Sequence, residues 1–372
     1  MRKICAVTSS RADYGIMSRL LRMLSEDAEI DFRLLVTGTH LSDKFGLTYS
    51  EIKEPIEEKI DIGIDGPPSH ALAKAVEKFS DAFLRLRPDI LLLLGDRYEI
   101  MGVAQAAMLN NIPIAHLYGG DSTEGAIDEA VRHSITKMSH LHFVSCDAYR
   151  RRVIQLGESP ERVFNFGALG VENAKMVPLL EKEELEKSLG FSFGRRNLLV
   201  TFHPATLEGN AGGQFAELLA ALDSFENCKI ILTCPNSDEG NEEIFKLISD
   251  FENRHENVKV YESLGLKRYL SCMRYVDAVV GNSSSGIYEA PSFGIPTVNI
   301  GGRQRGRIQA ESIINCRPDR KEIVKALQKA YKSDFSGVKN PYEGENTALN
   351  IFRALKSFKL DGIINKKFYD IS

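Results

Sequence analysis

The sequence predicts an α/β protein built from two doubly wound parallel sheets. Three observations indicate this class. Short apolar runs alternate with amphipathic helical stretches, the alternation stops in one charged segment and then restarts, and 372 residues correspond to about two to three domains. Strands that alternate with helices form parallel sheets covered by helices. We therefore expect two Rossmann-like halves.

The first half supplies five predicted strands, each a short apolar run that stops at polar or glycine residues. They cover 4–8, 32–38, 89–94, 112–117 and 141–144. Apolar residues at helical spacing predict helices over 16–24, 71–86, 98–109 and 128–137. The run 89–94 is apolar enough to be covered on both faces, as central parallel strands are.

The second half repeats the pattern after a charged, weakly periodic segment at 175–187 and 190–196, which predicts a domain connection. We therefore expect domains at 1–180 and 181–372, with the last helix packing back on the N-terminal domain. Strands are predicted at 197–202, 229–233, 258–260, 278–281 and, as the final one, 297–300. Helices are predicted at 214–225, 242–254, 321–331 and 347–358.

The composition of the chain limits which partners the protein can bind. With 47 Lys and Arg against 51 Asp and Glu, the net charge of −4 excludes a broadly basic nucleic-acid binder, so any anion site must be local. Apolar runs are too short for a signal peptide or a membrane span, which predicts a cytoplasmic protein with no membrane partner. The six cysteines lack metal-ligand spacing, which predicts free thiols and no metal site.

The most prominent anion-site pattern is the turn GNSSSG at 281–286, between a predicted strand and a helix. Its backbone N–H groups, the hydroxyls of Ser283 and Ser284 and the helix dipole suit a diphosphate, and an ordinary N-capped helix has the same pattern. Arg303, Arg305 and Arg307 follow the next strand, and three guanidinium groups in five residues favour a phosphate clamp over a solvated loop. The sequence has neither the GxGxxG nor the P-loop motif, which argues against dinucleotide redox and P-loop phosphoryl transfer.

Carboxylates follow the strands of the first half, at Asp13, Asp96, Asp121, Asp128 and Glu129. Ligands of open α/β sheets lie beyond the carboxyl ends of the strands, so we expect a ligand in a cleft between the two sheets. Carboxylates that face an arginine-rich anion site indicate proton transfer on an uncharged group attached to a diphosphate.

Two residues near these loops have simpler interpretations. Arg132 lies four residues after Asp128 on a predicted helix, where a surface salt bridge is the simpler explanation. His203 alone is more typical of a structural histidine, but its position after a strand, with the serine and arginine loops, favours a functional role.

Eight stretches carry a resemblance to a known family, and they run in order over almost the whole chain: SSRADYG (9–15), VTGTHLSDKFG (36–46), LGDRYE (94–99), HLYGGDSTEGAIDEAVRHSITKMSHLHF (116–143), RVIQLGE (152–158), FHPAT (202–206), PNSDEGN (235–241) and GNSSSGIYEAPSFGIPTVNIGGRQRGR (281–307). The sequence resembles the UDP-N-acetylglucosamine 2-epimerases, in particular the hydrolysing branch of sialic and legionaminic acid synthesis.

The resemblance implies a GT-B-like architecture, with the active site in the cleft between the domains and the nucleotide held mainly by the C-terminal one. It implies no cofactor and a homodimer or homotetramer. It implies the following binding roles: Arg11 and His203 near the diphosphate, Asn236, Ser283 and Ser284 on nucleotide and phosphates, Glu289 on the ribose hydroxyls, and Arg303 on phosphate or nucleotide. Arg132 is a further candidate on the phosphate side, and Arg97 and Tyr118 are further candidates for binding substrate or nucleotide.

The implied reaction converts UDP-N-acetylglucosamine to N-acetylmannosamine and UDP. The C2 proton is removed as UDP leaves C1, which gives a 2-acetamido-glucal, and water then adds while a proton returns to the other face of C2. For this reaction we assign the proton transfers to Asp96 and Asp128, with Asp121 or Glu129 as further candidates. We assign stabilisation of the leaving group to Arg11, His203 and Arg303.

Tyr118 departs from the family pattern, because many hydrolysing relatives have a glutamate between the apolar residue and the two glycines of this motif. A neutral phenol cannot replace a carboxylate base at pH 7 without a large pKa shift. Either Asp121 or Asp128 supplies the base, or the substrate differs near this position. Three other functions are alternatives to the hydrolysis of UDP-N-acetylglucosamine. The same chemistry could act on a nucleotide-linked 2,4-diacetamido-2,4,6-trideoxyhexose, or the protein could be a GT-B glycosyltransferase or a nucleotide-sugar sensor without catalysis.

Overall fold

A computed structural model describes residues 1–124, 127–203, 210–225, 227–234 and 242–371. The chain divides into two compact units. Unit 1 comprises Met1–Ser122, Ala126–Asn173 and Tyr342–Ser372, and unit 2 comprises Thr123–Gly125 and Ala174–Pro341. Each unit is built around its own parallel sheet.

Unit 1 contains a sheet of seven described strands in the order β3-β2-β1-β4-β5-β6-β7. The strands are β1 Arg2–Thr8, β2 Ile30–Val36, β3 Ile56–Lys59, β4 Ile90–Leu94, β5 Ile114–Leu117, β6 Leu141–Val144 and β7 Val163–Asn165. Its helices are α1 Arg11–Glu26, α2 Pro68–Leu86, α3 Tyr98–Leu109, α4 Ile127–Met138, α5 Asp147–Gln155 and, from the end of the chain, α13 Thr347–Ser357. Helix α6 Leu169–Met176 begins in unit 1, and its residues from Ala174 onward belong to unit 2.

Apolar side chains cover both faces of this sheet. Ile4 and Ala6 belong to one buried cluster with residues of α1 and α13, whereas Cys5 and Val7 belong to another with residues of α2 and α3. Successive residues of a strand point to opposite faces, which explains why the central strands are continuously apolar. The final helix α13 packs against α1.

Unit 2 contains a sheet of six described strands in the order β10-β9-β8-β11-β12-β13. The strands are β8 Arg196–Thr201, β9 Cys228–Thr233, β10 Val258–Tyr261, β11 Ala278–Gly281, β12 Thr297–Ile300 and β13 Ile313–Cys316. The helices are α7 Lys182–Leu189, α8 Ala211–Leu222, α9 Glu242–Arg254, α10 Gly265–Met273, α11 Ser285–Tyr288 and α12 Arg320–Lys332.

The two parallel sheets confirm the predicted fold class, and several elements match it residue for residue: α3, β6, α9, β11 and β12. Two expectations were wrong. The charged segment at 175–187 was predicted to be a connection, but it contains most of α7, whose Leu185 and Leu189 are buried one turn apart. The strand at 297–300 was predicted to be the last, but β13 follows and pairs with it.

Two further findings concern the cysteines and the length and polarity of the helices. Each of the six cysteines carries a free thiol. Across the part of the chain that the structure describes, every helix is too short or too polar to cross a membrane.

Candidate functional site

The strand order of unit 2 reverses between β8 and β11, which lie side by side at the centre of the sheet. In open α/β sheets this switch point is where ligands bind, beyond the carboxyl ends of the strands. The loop after β8 begins with Phe202 and His203, and the GNSSSG turn starts at the end of β11. Gly281 has φ 129°, and a Cβ there would lie 1.9 Å from the Thr201 carbonyl oxygen, so this close approach requires glycine.

Asn282 connects three loops at this edge. Its side-chain Oδ1 accepts the backbone N–H of His203 at 2.7 Å, and its Nδ2 donates to the His203 carbonyl at 2.8 Å. Its own carbonyl oxygen accepts hydrogen bonds from Arg303 Nη1 at 3.0 Å and Gln304 Nε2 at 2.7 Å. The loops after β8, β11 and β12 are therefore fixed relative to one another.

The three arginines after β12 have different surroundings. Arg303 is exposed and anchored to the Asn282 carbonyl, and Arg305 is exposed. Arg307 Nη1 donates to Gln304 Oε1 at 2.8 Å, and its guanidinium lies 5.4 Å from the ring centre of Tyr288. Arg303 thus donates directly to the backbone of the turn, in which Ser284 is exposed and Ser283 is half-buried.

Two titratable groups at this edge have shifted pKa values. Burial, with the positive charge of Arg303, lowers the pKa of His203 to about 4, so its imidazole is neutral near pH 7. Burial raises the pKa of Glu289 to about 7, although a hydrogen bond with Ser285 opposes the shift. Glu289 is therefore poised between its protonated and ionised forms, and an ionised carboxylate can accept two hydroxyl donors.

Unit 1 has a second switch point, between β1 and β4. The first turn of α1, which follows β1, carries Arg11, which is exposed, and Asp13, whose Oδ2 accepts from Ser9 Oγ at 2.8 Å. The loop after β4 carries Asp96 and Arg97, and Arg97 forms an ion pair with the fully buried Glu99. Burial raises the pKa of Asp13, and the nearby charge of Arg97 opposes that shift.

Arg132 is the centre of the carboxylate cluster in unit 1. Its side chain is 1% exposed and forms ion pairs with Asp96 and, at 3.0 Å, with Glu129 Oε2. It also donates to the Asp121 carbonyl at 3.1 Å. Glu129 accepts in addition from Ser122 Oγ at 3.1 Å. The structure thus brings Asp96 and Glu129 together over a separation of more than thirty residues in sequence.

The remaining unit 1 candidates lie in or beside the loop after β5. Tyr118 has φ 66° and its hydroxyl accepts the backbone N–H of Gly170 at 3.0 Å. Asp121 is buried, and its Oδ1 accepts the N–H of Ser122 at 2.7 Å. Asp128 lies in the first turn of α4, one residue before Glu129.

The sequence interpretation did not single out Asn282, Gln304 or Glu99. Asn282 stands inside the GNSSSG turn, but its contacts with His203 bridge loops that are far apart in sequence, which no local pattern shows. Asn236 and the positions 204–206 lie outside the described residues. Within the described ranges, the structure contains no group of three His, Cys, Asp or Glu residues able to hold a metal ion.

Two Rossmann-like units with polar loops at both switch points define a GT-B-like α/β protein. The crystal structure of UDP-GlcNAc 2-epimerase from Neisseria meningitidis bound to UDP-GlcNAc has the same fold, with a TM-score of 0.80, 18% identity, and coverage of 95% of this chain and 99% of that one. At this identity the similarity concerns the fold.

Sequence relatives identify the family. The model of the family described as UDP-N-acetylglucosamine 2-epimerase matches residues 22–356. The GDP/UDP-N,N'-diacetylbacillosamine 2-epimerase (hydrolyzing) of Campylobacter jejuni is 41% identical, with 100% of this chain and 99% of that protein covered. The polysialic acid biosynthesis protein P7 of Escherichia coli is 40% identical (100% and 98% covered), and the UDP-N,N'-diacetylbacillosamine 2-epimerase (hydrolyzing) of Legionella pneumophila is 35% identical (98% and 99% covered). The chain belongs to the hydrolysing UDP-N-acetylglucosamine 2-epimerase family.

Proposed function

We propose that this hydrolysing 2-epimerase acts on a UDP-linked 2,4-diacetamido-2,4,6-trideoxyhexose. The observation that carries the choice of sugar is the full-length similarity, at 41% and 35% identity, to two hydrolysing epimerases named for N,N'-diacetylbacillosamine. Tyr118 supports it, because a residue that departs from the family pattern beside the carboxylate loop is consistent with a different sugar. We also expect the protein to be cytoplasmic and to form a homodimer or homotetramer. Light scattering would test the oligomeric state.

The nucleotide is assigned to unit 2. The diphosphate would be contacted by His203, Ser283, Ser284 and Arg303. The GNSSSG turn offers N–H and hydroxyl donors, and the loop after β12 supplies the guanidinium of Arg303. A neutral His203 would serve as a hydrogen-bond donor rather than as a cation. Glu289 would accept the ribose hydroxyls. Arg11 and Arg97 of unit 1 remain candidates for further phosphate or substrate contacts.

The proton transfers are assigned to unit 1. A base removes the C2 proton while the bond between C1 and the diphosphate oxygen breaks, and UDP departs with that electron pair. Water then adds its hydroxyl to C1 of the glycal, and a proton is delivered to the opposite face of C2. Asp96, Asp121, Asp128 and Glu129 are the candidate acids and bases, and Arg132 holds two of them rather than facing a phosphate.

UDP-N-acetylglucosamine is the second candidate substrate. The description of the family names this sugar, and the relative named for polysialic acid biosynthesis is 40% identical to the chain. The two sugars differ at C4 and C6, whereas the proposed chemistry takes place at C1 and C2. The same residues would therefore serve either substrate.

The deciding experiment is NMR of the reaction in D2O with each nucleotide sugar and no acceptor. We expect UDP and the free 2-epimer with deuterium at C2, at a markedly higher kcat/KM for the diacetamido sugar. A higher kcat/KM for UDP-N-acetylglucosamine would reverse the order of the substrates. UDP release without deuterium at C2 would contradict the elimination mechanism. Asp96→Asn and Asp128→Asn variants that retain normal turnover would contradict the roles of these two carboxylates and leave Asp121 and Glu129.

A further inference from the structure

His116 is a fully buried histidine beside the carboxylate cluster, at the carboxyl end of β5. Its Nε2 lies 2.8 Å from the carbonyl oxygen of Gly95, and its Nδ1 lies 3.2 Å from Thr136 Oγ1. Gly95 immediately precedes Asp96, and Thr136 lies on α4, one turn after Arg132. His116 therefore connects the loop that carries Asp96 to the helix that carries its ion-pair partner.

The partners of the imidazole determine its tautomer. The Gly95 carbonyl can only accept, so Nε2 must carry the proton and donate it. Nδ1 is then an acceptor that faces the Thr136 hydroxyl at 3.2 Å, and the single proton of that hydroxyl is shared between Nδ1 and the Arg132 carbonyl oxygen, which lies 3.0 Å away. Burial lowers the pKa of His116 to about 3, so this neutral form persists at ordinary pH.

These contacts close a ring around Asp96. The Asp96 carboxylate pairs with Arg132, α4 leads from Arg132 to Thr136, Thr136 contacts His116, and His116 holds the carbonyl of Gly95. The ring is tightly packed: a Cβ at Gly119 would lie 3.0 Å from Thr136 Oγ1 and 3.1 Å from His116 Nδ1. The peptide between Gly95 and Asp96 is thus fixed from one side and the Asp96 side chain from the other.

We infer that His116 is a positioning residue for Asp96: its Nε2–H fixes the Gly95 carbonyl and thereby the direction in which the Asp96 carboxylate is presented. The inference rests on the proposed function, in which Asp96 takes part in proton transfer at C2. Without the imidazole, the Gly95 carbonyl loses its donor, and the peptide can rotate and carry the Asp96 carboxylate away from the substrate carbon.

The chain offers a matched control in His140. This histidine is also buried, burial lowers its pKa to about 4, and its Nδ1 accepts the backbone N–H of Ile114 at 3.2 Å. Ile114 begins β5, so His140 holds the amino end of the strand that carries His116 at its carboxyl end. His140→Leu removes a comparable buried imidazole without touching the Asp96 loop.

The experiment measures kcat, KM and UDP affinity for His116→Leu, His116→Gln, Thr136→Val and His140→Leu, with the stability of each variant. We expect kcat to fall about 100-fold in His116→Leu, the loss that a misplaced catalytic group can cause, with KM and the Kd for UDP nearly unchanged. His116→Gln should recover part of kcat because its amide can donate to Gly95. Thr136→Val should give an intermediate loss, and His140→Leu should lose stability but not kcat.

A readout that does not depend on turnover is the 15N NMR spectrum of the imidazole, which should show the proton on Nε2. A proton on Nδ1, or equal kcat in His116→Leu and His140→Leu, would overturn the positioning role alone. If His116→Leu does not fold, Thr136→Val with unchanged kcat would overturn it in the same way. A wild-type protein that turns over neither nucleotide sugar would overturn the proposed function together with this inference.

Discussion

The side-chain amide of Asn282 exchanges two hydrogen bonds with the backbone of His203, at 2.7 Å and 2.8 Å. The carbonyl of Asn282 receives Arg303 and Gln304 from a third loop. This arrangement requires an amide, because the His203 backbone needs both an acceptor and a donor from one side chain. The geometry of the candidate nucleotide site therefore depends on a residue that need not touch the nucleotide.

Asn282→Asp should weaken UDP binding. The aspartate keeps an acceptor for the His203 N–H but places a second oxygen against the His203 carbonyl and adds a negative charge beside the proposed diphosphate site. We expect the Kd for UDP, measured by titration calorimetry, to rise at least about tenfold, which corresponds to about 1.4 kcal/mol.

Asn257→Asp is the matched control for this change. Asn257 Nδ2 donates to the Cys228 carbonyl at 2.7 Å, at the opposite end of the sheet. Its variant should leave the Kd for UDP unchanged. Equal Kd values for Asn282→Asp and the wild type would show that the contacts with His203 do not matter for binding.

Glu289 should make stability depend on pH. Its pKa rises from 4.5 to about 7 in the folded protein, chiefly through burial. The folded state holds this proton more tightly than the unfolded chain does, so its contribution to stability is complete below about pH 4.5 and is lost as the pH rises through about 7. Denaturant unfolding should show that Glu289→Gln removes this loss, whereas the exposed Glu311→Gln retains it.

The same carboxyl should control nucleotide affinity in the opposite direction. If the ionised form accepts the ribose hydroxyls, as proposed, the affinity of the wild type for UDP should rise between about pH 6 and pH 8 relative to Glu289→Gln, which cannot ionise. Comparing the two proteins cancels the titration of UDP itself. A constant ratio of their Kd values across this range would contradict the ribose assignment.

Arg132→Met should impair catalysis without impairing UDP binding. Removing the guanidinium takes the Arg132 charge away from the carboxylates of Asp96 and Glu129, although Glu129 Oε1 still lies 3.1 Å from His133 Nε2. Breaking a buried pair costs about 3 kcal/mol, and the partial exposure of these two carboxylates reduces that figure. We expect a free energy of unfolding lower by about 2 kcal/mol and a large loss of kcat.

The Kd for UDP separates the two roles of Arg132. A group that only orients carboxylates should leave that Kd unchanged in Arg132→Met, whereas a phosphate ligand should weaken it by at least about tenfold, or 1.4 kcal/mol. Arg274→Met is the control: Arg274 pairs with Glu181 at the surface, a pair whose loss should cost less than about 1 kcal/mol.

The sequence could predict the fold because its signals are local. The run of β4 is apolar over five residues, and α9 shows helical spacing from end to end, so each was predicted from a single window. The helix α7 was missed because it buries little more than Leu185 and Leu189 in a charged segment. Its stability comes from packing against the rest of unit 2, which a local window does not contain.

The site was predictable as a set of loops but not as a set of contacts. The rule that ligands lie beyond strand ends selected the loops after β1, β4, β8, β11 and β12. The pairing of Asp96 with Arg132 and of Asn282 with His203 joins residues far apart in sequence, so composition and spacing could not show it. Sequence spacing alone therefore did not show that the Arg132 guanidinium forms ion pairs with Asp96 and Glu129, and its contact with substrate stays a prediction.

Tyr118→Phe should distinguish the two explanations for the missing glutamate. The Tyr118 hydroxyl accepts the N–H of Gly170 at the start of α6, so the phenol has a structural partner in unit 1. Losing one such hydrogen bond costs about 1 kcal/mol of stability. If Asp121 or Asp128 is the base, Tyr118→Phe should retain kcat within about threefold, since about 0.6 kcal/mol would then separate the two barriers.

A loss of kcat by about 100-fold or more in Tyr118→Phe, with stability lowered only as expected, would instead place the phenol in the chemistry. Tyr49→Phe is the control, because Tyr49 is a partly buried tyrosine of the same unit whose ring contacts Lys59 away from the carboxylate loop. The ratio of the kcat/KM values of Tyr118→Phe for the two nucleotide sugars tests whether Tyr118 contributes to the choice of sugar. If Tyr118 contributes to the choice of sugar, removing its hydroxyl should change that ratio while kcat for the better substrate is retained, since specificity is a difference between two transition-state energies.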